Sequence, residues 1–251
     1  MITSLDNPRV REVVRLRRSR ERRRAGLFVV EGAREIERAH AAGLRFHATY
    51  VSPELLAAGG GVPPAGDGAD REEVSARVLR HMAYRAEPEG AIAVVEAPTH
   101  TLPETASLVL VAVGVEKPGN LGAMARSAEA AGADALLIAD GAFDPWNPNA
   151  VRASTGAVFT LPIVVSSLDE LRALPLRRVA AVVGASTGYT DADLRRPTAL
   201  IVGAEDNGLD ERWRSAADET VSIPMRGRTT DSLNASATAA VLLFEAVRQR
   251  C

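Results

Sequence analysis

Cysteine is almost missing from this chain of 251 residues: Cys251 stands alone at the C-terminal end. That excludes an intrachain disulfide and any zinc site built on several cysteines. The four histidines, His40, His47, His81 and His100, are scattered without ligand spacing, so no metal is expected. No apolar run reaches the length of about eighteen residues needed to cross a bilayer, and MITSLDNPRVREV lacks the apolar segment of a signal peptide. A soluble, cytoplasmic protein without a membrane partner is expected. Lysine is as scarce as cysteine, with Lys117 the only one, so basic character rests on arginine. The nucleotide-binding spacings GxGxxG and GxxxxGK[ST] are both absent.

What is present is a large hydrophobic fraction, 46%, enough for one large or two modest domains. The net charge is −2 but uneven. Residues 1–24 hold nine arginines against Asp6, Glu12 and Glu21, a local balance of +6 on an otherwise acidic chain. Such an arm suits a polyanionic partner, although a solvated arginine-rich helix has the same composition.

Residues 7–24 have a partial apolar face (Val10, Val13, Val14, Leu16) and are predicted helical. Strands are predicted at Leu27–Val30, Phe46–Val51 and Ala91–Val95, with helices over 33–42 and 72–83 and a flexible glycine-rich loop over 57–70. These form a small α/β unit over 1–98. The proline- and threonine-containing stretch 99–106 is the linker, and 107–251 a second domain. There the aliphatic run Leu108–Val115 reads as a strand buried on both faces. Further strands at 135–139, 179–183, 200–202 and 221–223 alternate with helices at 121–131, 167–174, 209–216 and from Ala235 onward. The fold class is α/β with a mostly parallel sheet.

Ligands of such sheets bind beyond the carboxyl ends of the strands, so the turns there carry the chemistry. One is Glu116-Lys117-Pro118-Gly119-Asn120-Leu121-Gly122, with Arg126 a turn further on; Arg126 suits either function or an ion pair with Glu129 or Glu205. A second, Asp144–Asn149, reads as a rigid proline and asparagine loop whose Trp146 packs on protein or stacks on a base. The third follows the strand ending at Gly203 and carries Glu205. The fourth runs from Pro224 to Asn234, where Asp231 or Ser232 can cap the last helix.

The stretches EKPGNLGAMARSAEAAG (116–132), LIVGAEDNGL (200–209) and SIPMRGRTTDSLNASATAAVLLFE (222–245) resemble the three successive motifs of the SpoU, or TrmH-like, RNA 2′-O-methyltransferases. RASTGAVFTLPI (152–163) is similar to the segment between the first two, and SLDNPRV (4–10) with GLFVVEGAREIERA (26–39) resembles the substrate-binding domain that precedes them. The resemblance implies a C-terminal trefoil knot, S-adenosylmethionine as cofactor and a homodimer with the active site beside its interface. It implies that Gly203, Ile223 and Leu233 contact the cofactor, with Met225 and Glu205 close by. Asn120, Arg126, Ser232 and Asn234 become the catalytic, RNA-facing set. Departures are Glu116 where Asp or Asn is usual, Ala123 where a branched aliphatic residue stands, and Ala235 where valine is frequent. The implied partner is structured RNA, with 23S ribosomal RNA ahead of tRNA. Two other readings are a non-catalytic RNA-binding protein on this scaffold and a nicotinamide-dependent enzyme using Asp140. The missing GxGxxG argues against the latter.

Overall fold

In the computed structural model, which describes residues 1–56, 63, 64, 66, 70–141 and 144–251, the arginine-rich start folds as two helices rather than the single one expected. Asn7 accepts a bond from the Arg9 amide and Pro8 takes the first position of α1 (Pro8–Arg15), a preorganised start. The helix stops at Leu16 because Arg22, a buried arginine of α2 (Ser19–Ala25), turns back onto it. Its guanidinium donates to the carbonyls of Leu16 (2.6 Å) and Arg17 (2.9 Å), groups a longer helix would have satisfied internally. Arg17 likewise donates to the carbonyls of His81 and Ala83. Arg9 pairs with Asp70 and Glu72, Arg11 with Asp6, and Arg24 with Glu21. Exposed Arg15, Arg18, Arg20 and Arg23 have no such partner among the described residues.

The chain continues through β1 (Leu27–Glu31), α3 (Ala33–Ala41), β2 (Phe46–Val51), β3 (Asp70–Glu73), α4 (Ala76–Met82) and β4 (Ala91–Glu96). The helix expected over 72–83 begins later, because residues 70–73 pair in parallel with β2 and Ser75 then caps α4. Most of the expected 57–70 loop lies outside the described residues. The sheet order is β1-β4-β2-β3, with β4 antiparallel to both neighbours.

Next come β5 (Leu108–Val113), α5 (Pro118–Ala130) and β6 (Ala135–Ala139), then α6 (Pro148–Ser154) with one 3-10 turn. Residues 146–159 belong by their contacts with Met1–Thr99, although the sequence reading kept 107–251 together. Trp146 lies against Phe28 with ring centroids 4.6 Å apart, and Arg38 donates to the Thr155 carbonyl. Trp146 therefore packs on protein. The rigid loop expected there holds a helix instead: Asn147 caps it and Pro148 is its first residue.

The second unit comprises His100–Pro145 and Thr160–Cys251. Its remaining elements are β7 (Ile163–Val165), α7 (Leu168–Ala173), β8 (Arg177–Ala181), β9 (Thr187–Gly188), β10 (Thr198–Gly203), α8 (Glu211–Ala216), β11 (Glu219–Ser222) and α9 (Ala235–Arg250). The sheet runs β7-β6-β5-β10-β8-β11-β9, every pair parallel. All six residues of β5 are buried, as a strand covered on both faces requires. Val109, Val111 and Val113 join Ile201, Leu209 and the fully buried Trp213 in one core. From β5 the chain runs outward to β6 and β7 on one side, whereas from β10 it runs to β11 on the other, so the connections leaving these two neighbouring strands diverge at the carboxyl edge.

The Arg22→Met variant, which keeps the apolar stem and removes the donors to Leu16 and Arg17, is expected to lose about 1.5–3 kcal/mol of stability. Urea denaturation measures this; a loss below about 0.5 kcal/mol would mean that water replaces the guanidinium at no cost.

Candidate active site

At the carboxyl edge, Gly203 ends β10 where the chain must fold back sharply. A Cβ on Gly203 would lie 2.4 Å from the carbonyl carbon of Gly208 and 2.7 Å from the Leu209 nitrogen, so only glycine fits. The turn is closed by a Gly208 amide bond to the Ala204 carbonyl (2.9 Å) and by Gly208 in the left-handed region, φ +60°. Leu209 then enters the core, and Arg214 donates to its carbonyl (2.7 Å).

This turn forms one wall of a cavity of about 310 Å³. Ala181 at the end of β8 and Val182 and Val183 just after it contribute; the loop after β11 contributes Ile223, Met225, Asp231, Ser232 and Leu233; α9 contributes Ala235 and Thr238. Glu205, Asp206 and Asp231 stand against one cation, Arg214, so the lining is acidic. Such a space suits a nucleoside-sized molecule carrying positive charge.

Glu205 ties the turn after β10 to the start of α5. Its carboxylate accepts from Lys117 and from the Asn120 amide nitrogen (2.7 Å), with the backbone N–H of Ala235 a minor further influence on it. These bonds, that of Lys117 foremost, hold its carboxyl below the usual carboxylate range, and the Lys117 ammonium is raised in return. A carboxylate only accepts, so the NH₂ of Asn120 must face it. The Asn120 carbonyl oxygen is left without a donor among the described residues.

Of the residues singled out from sequence, Gly203, Glu205, Ile223, Met225, Ser232 and Leu233 all line the cavity. Asn120 is one hydrogen bond away. It sits in the first turn of α5, which starts at Pro118 rather than 121, so Arg126 lies two turns into that helix. Arg126 is exposed, does not line the cavity, and forms no hydrogen bond or ion pair with a described residue. Neither Glu129 nor Glu205 pairs with it. Asn234, rather than Asp231 or Ser232, caps α9, accepting from the Ala237 amide (2.8 Å) and the Ser236 hydroxyl (3.0 Å). The Ser232 hydroxyl is thereby left for other work. Asp140, on which the nicotinamide reading leaned, holds the Trp213 indole N–H (2.5 Å) and Arg212 (3.0 Å).

Sequence reasoning missed Lys117, Val182, Val183 and Arg214. Lys117 stood inside a motif already singled out, whereas nothing in the local pattern marked the other three. Among the described residues no cluster of His, Cys, Asp or Glu could hold a metal, and no helix is long and apolar enough to cross a membrane.

Residues 107–244 match the model of the SpoU rRNA Methylase family, and residues 7–93 that of the MRM3-like substrate binding domain. The chain is 43% identical over 143 residues to the 23S rRNA (uridine(2479)-2′-O)-methyltransferase of Streptomyces viridochromogenes, covering 53% of this chain and 50% of that protein. It is 30% identical to the 23S rRNA (guanosine(2553)-2′-O)-methyltransferase RlmP of Bacillus subtilis, with 97% of each covered. Among solved structures, an RNA 2′-O ribose methyltransferase is 43% identical with TM-score 0.84, covering 99% of this chain and 98% of that one. The S. viridochromogenes SpoU methyltransferase AviRb, in complex with AdoMet, is 31% identical with TM-score 0.82 over 97% of this chain and 99% of that one.

Two measurements check this geometry. Gly203→Ala is expected to displace the Gly208 backbone at a cost of about 1–3 kcal/mol, read by thermal unfolding, and to distort the cavity. Unchanged stability would show that the turn has another way to close. Because the folded-state pKa of Glu205 is depressed, its bonds stabilise the junction above the unfolded carboxylate range and are lost as pH falls through the folded value. Carboxyl NMR of Lys117→Met should show Glu205 titrating at higher pH than in the unaltered chain; an unmoved midpoint would contradict the pairing.

Proposed function

We propose the following function for this chain, which belongs to the SpoU rRNA methylase family: it transfers a methyl group from S-adenosylmethionine to a ribose 2′-hydroxyl of 23S ribosomal RNA. The observation that carries the proposal is the acidic cavity at the carboxyl edge of the parallel sheet, built from the turns at Gly203 and Leu233. Its volume, the glycine that lets backbone approach, and carboxylates opposite a sulfonium fit this cofactor. Gly203, Ile223 and Leu233 would hold it, with Met225 and Glu205 alongside. When bound, it supplies an electrophilic methyl on a positively charged sulfur.

The chain must then align the hydroxyl and assist loss of its proton. Glu205 orients Asn120 so that the amide oxygen is free to accept a hydrogen bond from ribose. Ser232 adds a second polar group on the cavity wall. Asn234 contributes by fixing the first turn of α9, which carries Ala235 and Thr238 to the site. Arg126 is a poor base, since a guanidinium offers donors and no acceptor, but a good fork for phosphate oxygens. With its donors uncommitted, it would grip the phosphate beside the target ribose.

Residues 1–98 would bind the structured RNA, with Arg15, Arg18, Arg20 and Arg23 available to phosphates, ahead of a linker at 99–106 and the catalytic domain at 107–251. The C-terminal segment would thread as a trefoil knot in the cytoplasmic enzyme. A homodimer is supported by α9, where half-buried Ala237, Ala240 and Val241 and exposed Phe244 share a face at helical spacing.

Incubation with labelled S-adenosylmethionine and ribosomal RNA should give one 2′-O-methyl nucleotide. In Arg126→Ala the rate should fall about 10²-fold or more, and Arg126→Lys should recover little of it, because a point charge does not replace the fork. Near-normal turnover by Arg126→Lys would sink the role assigned to the fork. Phe244→Glu should sediment as a monomer, and an unchanged dimer would place the interface elsewhere.

A further inference from the structure

The methyl transfer leaves one proton to be placed, and the cavity wall narrows where it can go. The described titratable groups lining it are Glu205, Asp206, Arg214 and Asp231. Arg214 is a cation and has no lone pair to offer. Glu205 already accepts from Lys117 and Asn120, two bonds that favour its ionised form and make it a weak proton acceptor. Asp206 is exposed and hydrogen-bonds to no described residue, but it stands in the turn after β10 and does not adjoin Ser232 in the chain. Asp231 is exposed and hydrogen-bonds to no described residue. It immediately precedes Ser232 in the loop that enters α9, and both line the cavity.

We propose that the carboxylate of Asp231 is the general base of this site, taking the proton of the ribose 2′-hydroxyl as the methyl group is transferred. This rests on the methyltransferase reading above. In the step, the ribose oxygen forms its bond to the methyl carbon as the carbon–sulfur bond breaks. The bonding pair returns to sulfur and cancels its positive charge, and the hydroxyl proton passes to an Asp231 oxygen. One positive and one negative charge disappear together, so a carboxylate facing a sulfonium becomes a neutral acid facing a thioether. Cancelling the two charges in one step favours that outcome over one that strands either of them. Arg126 keeps its place on the phosphate, and no guanidinium need lose a proton.

The test compares the unaltered chain with Asp231→Asn and Asp231→Glu, using single-turnover transfer to ribosomal RNA and calorimetric binding of S-adenosylmethionine. The expected result for Asp231→Asn is a transfer rate lower by about 10²-fold or more, with cofactor and RNA dissociation constants within about threefold of the unaltered chain. The fall in rate toward acid pH should persist in Asp231→Glu, which retains a carboxylate, and be absent from the residual rate of Asp231→Asn. A rate for Asp231→Asn within about threefold of the unaltered chain would overturn the assignment. So would a loss appearing in cofactor affinity alone, which would make Asp231 a counter-ion to the cofactor. Absence of transfer by the unaltered chain, with cofactor binding intact, would overturn the methyltransferase reading itself and the base with it.

Discussion

The active edge of this protein depends on one carboxylate. Glu205 takes bonds from Lys117 before α5 and from Asn120 in its first turn, tying together the segments that follow β5 and β10. Those strands are fixed by aliphatic packing in a parallel sheet, but packing alone does not set the relative positions of the loops beyond them. Charge-assisted bonds between the two loops do, and the 21% side-chain exposure of Glu205 leaves the carboxylate partly shielded from competing water. The same bonds determine which end of the Asn120 amide is presented, so a structural tie also decides a chemical orientation.

Much of the second unit was legible in the chain. Leu108–Val113, Ala135–Ala139 and Thr198–Gly203 are aliphatic runs that only a sheet covered on both faces explains. The two-residue Thr187–Gly188 and three-residue Ile163–Val165 strands were not legible, because such short stretches carry no period. Asn147-Pro148 shows another limit. It was read as loop chemistry, although an asparagine followed by proline is equally a helix start, and contacts with Phe28 and Arg38 decided the matter. The arginine arm failed as a single helix for a tertiary reason, since the turn-back of Arg22 has no signature in local spacing.

For the site, the resemblance named nine residues, of which the fold gathers six at one cavity, while Asn120, Arg126 and Asn234 do not line it. What it did not supply was their division of labour. The pairing of Lys117 with Glu205 spans 88 positions and is invisible to any local pattern. Asn234 was grouped with the catalytic residues, yet its side-chain oxygen is occupied as the cap of α9, whereas Ser232 and Asp231 beside it are uncommitted. The caps and ties of the loop therefore separate groups that hold the site from groups free to meet a substrate.

The central claim is that this cavity serves methylation of a ribose in 23S ribosomal RNA. Mapping ribose 2′-O-methyl groups across ribosomal RNA and tRNA, in cells with the gene intact, deleted, or restored as the Asn120→Ala variant, tests it most directly. The account predicts one methylated 23S nucleotide that vanishes on deletion and does not return with the variant. A methylation pattern that deletion leaves intact, or one restored in full by Asn120→Ala, would contradict it.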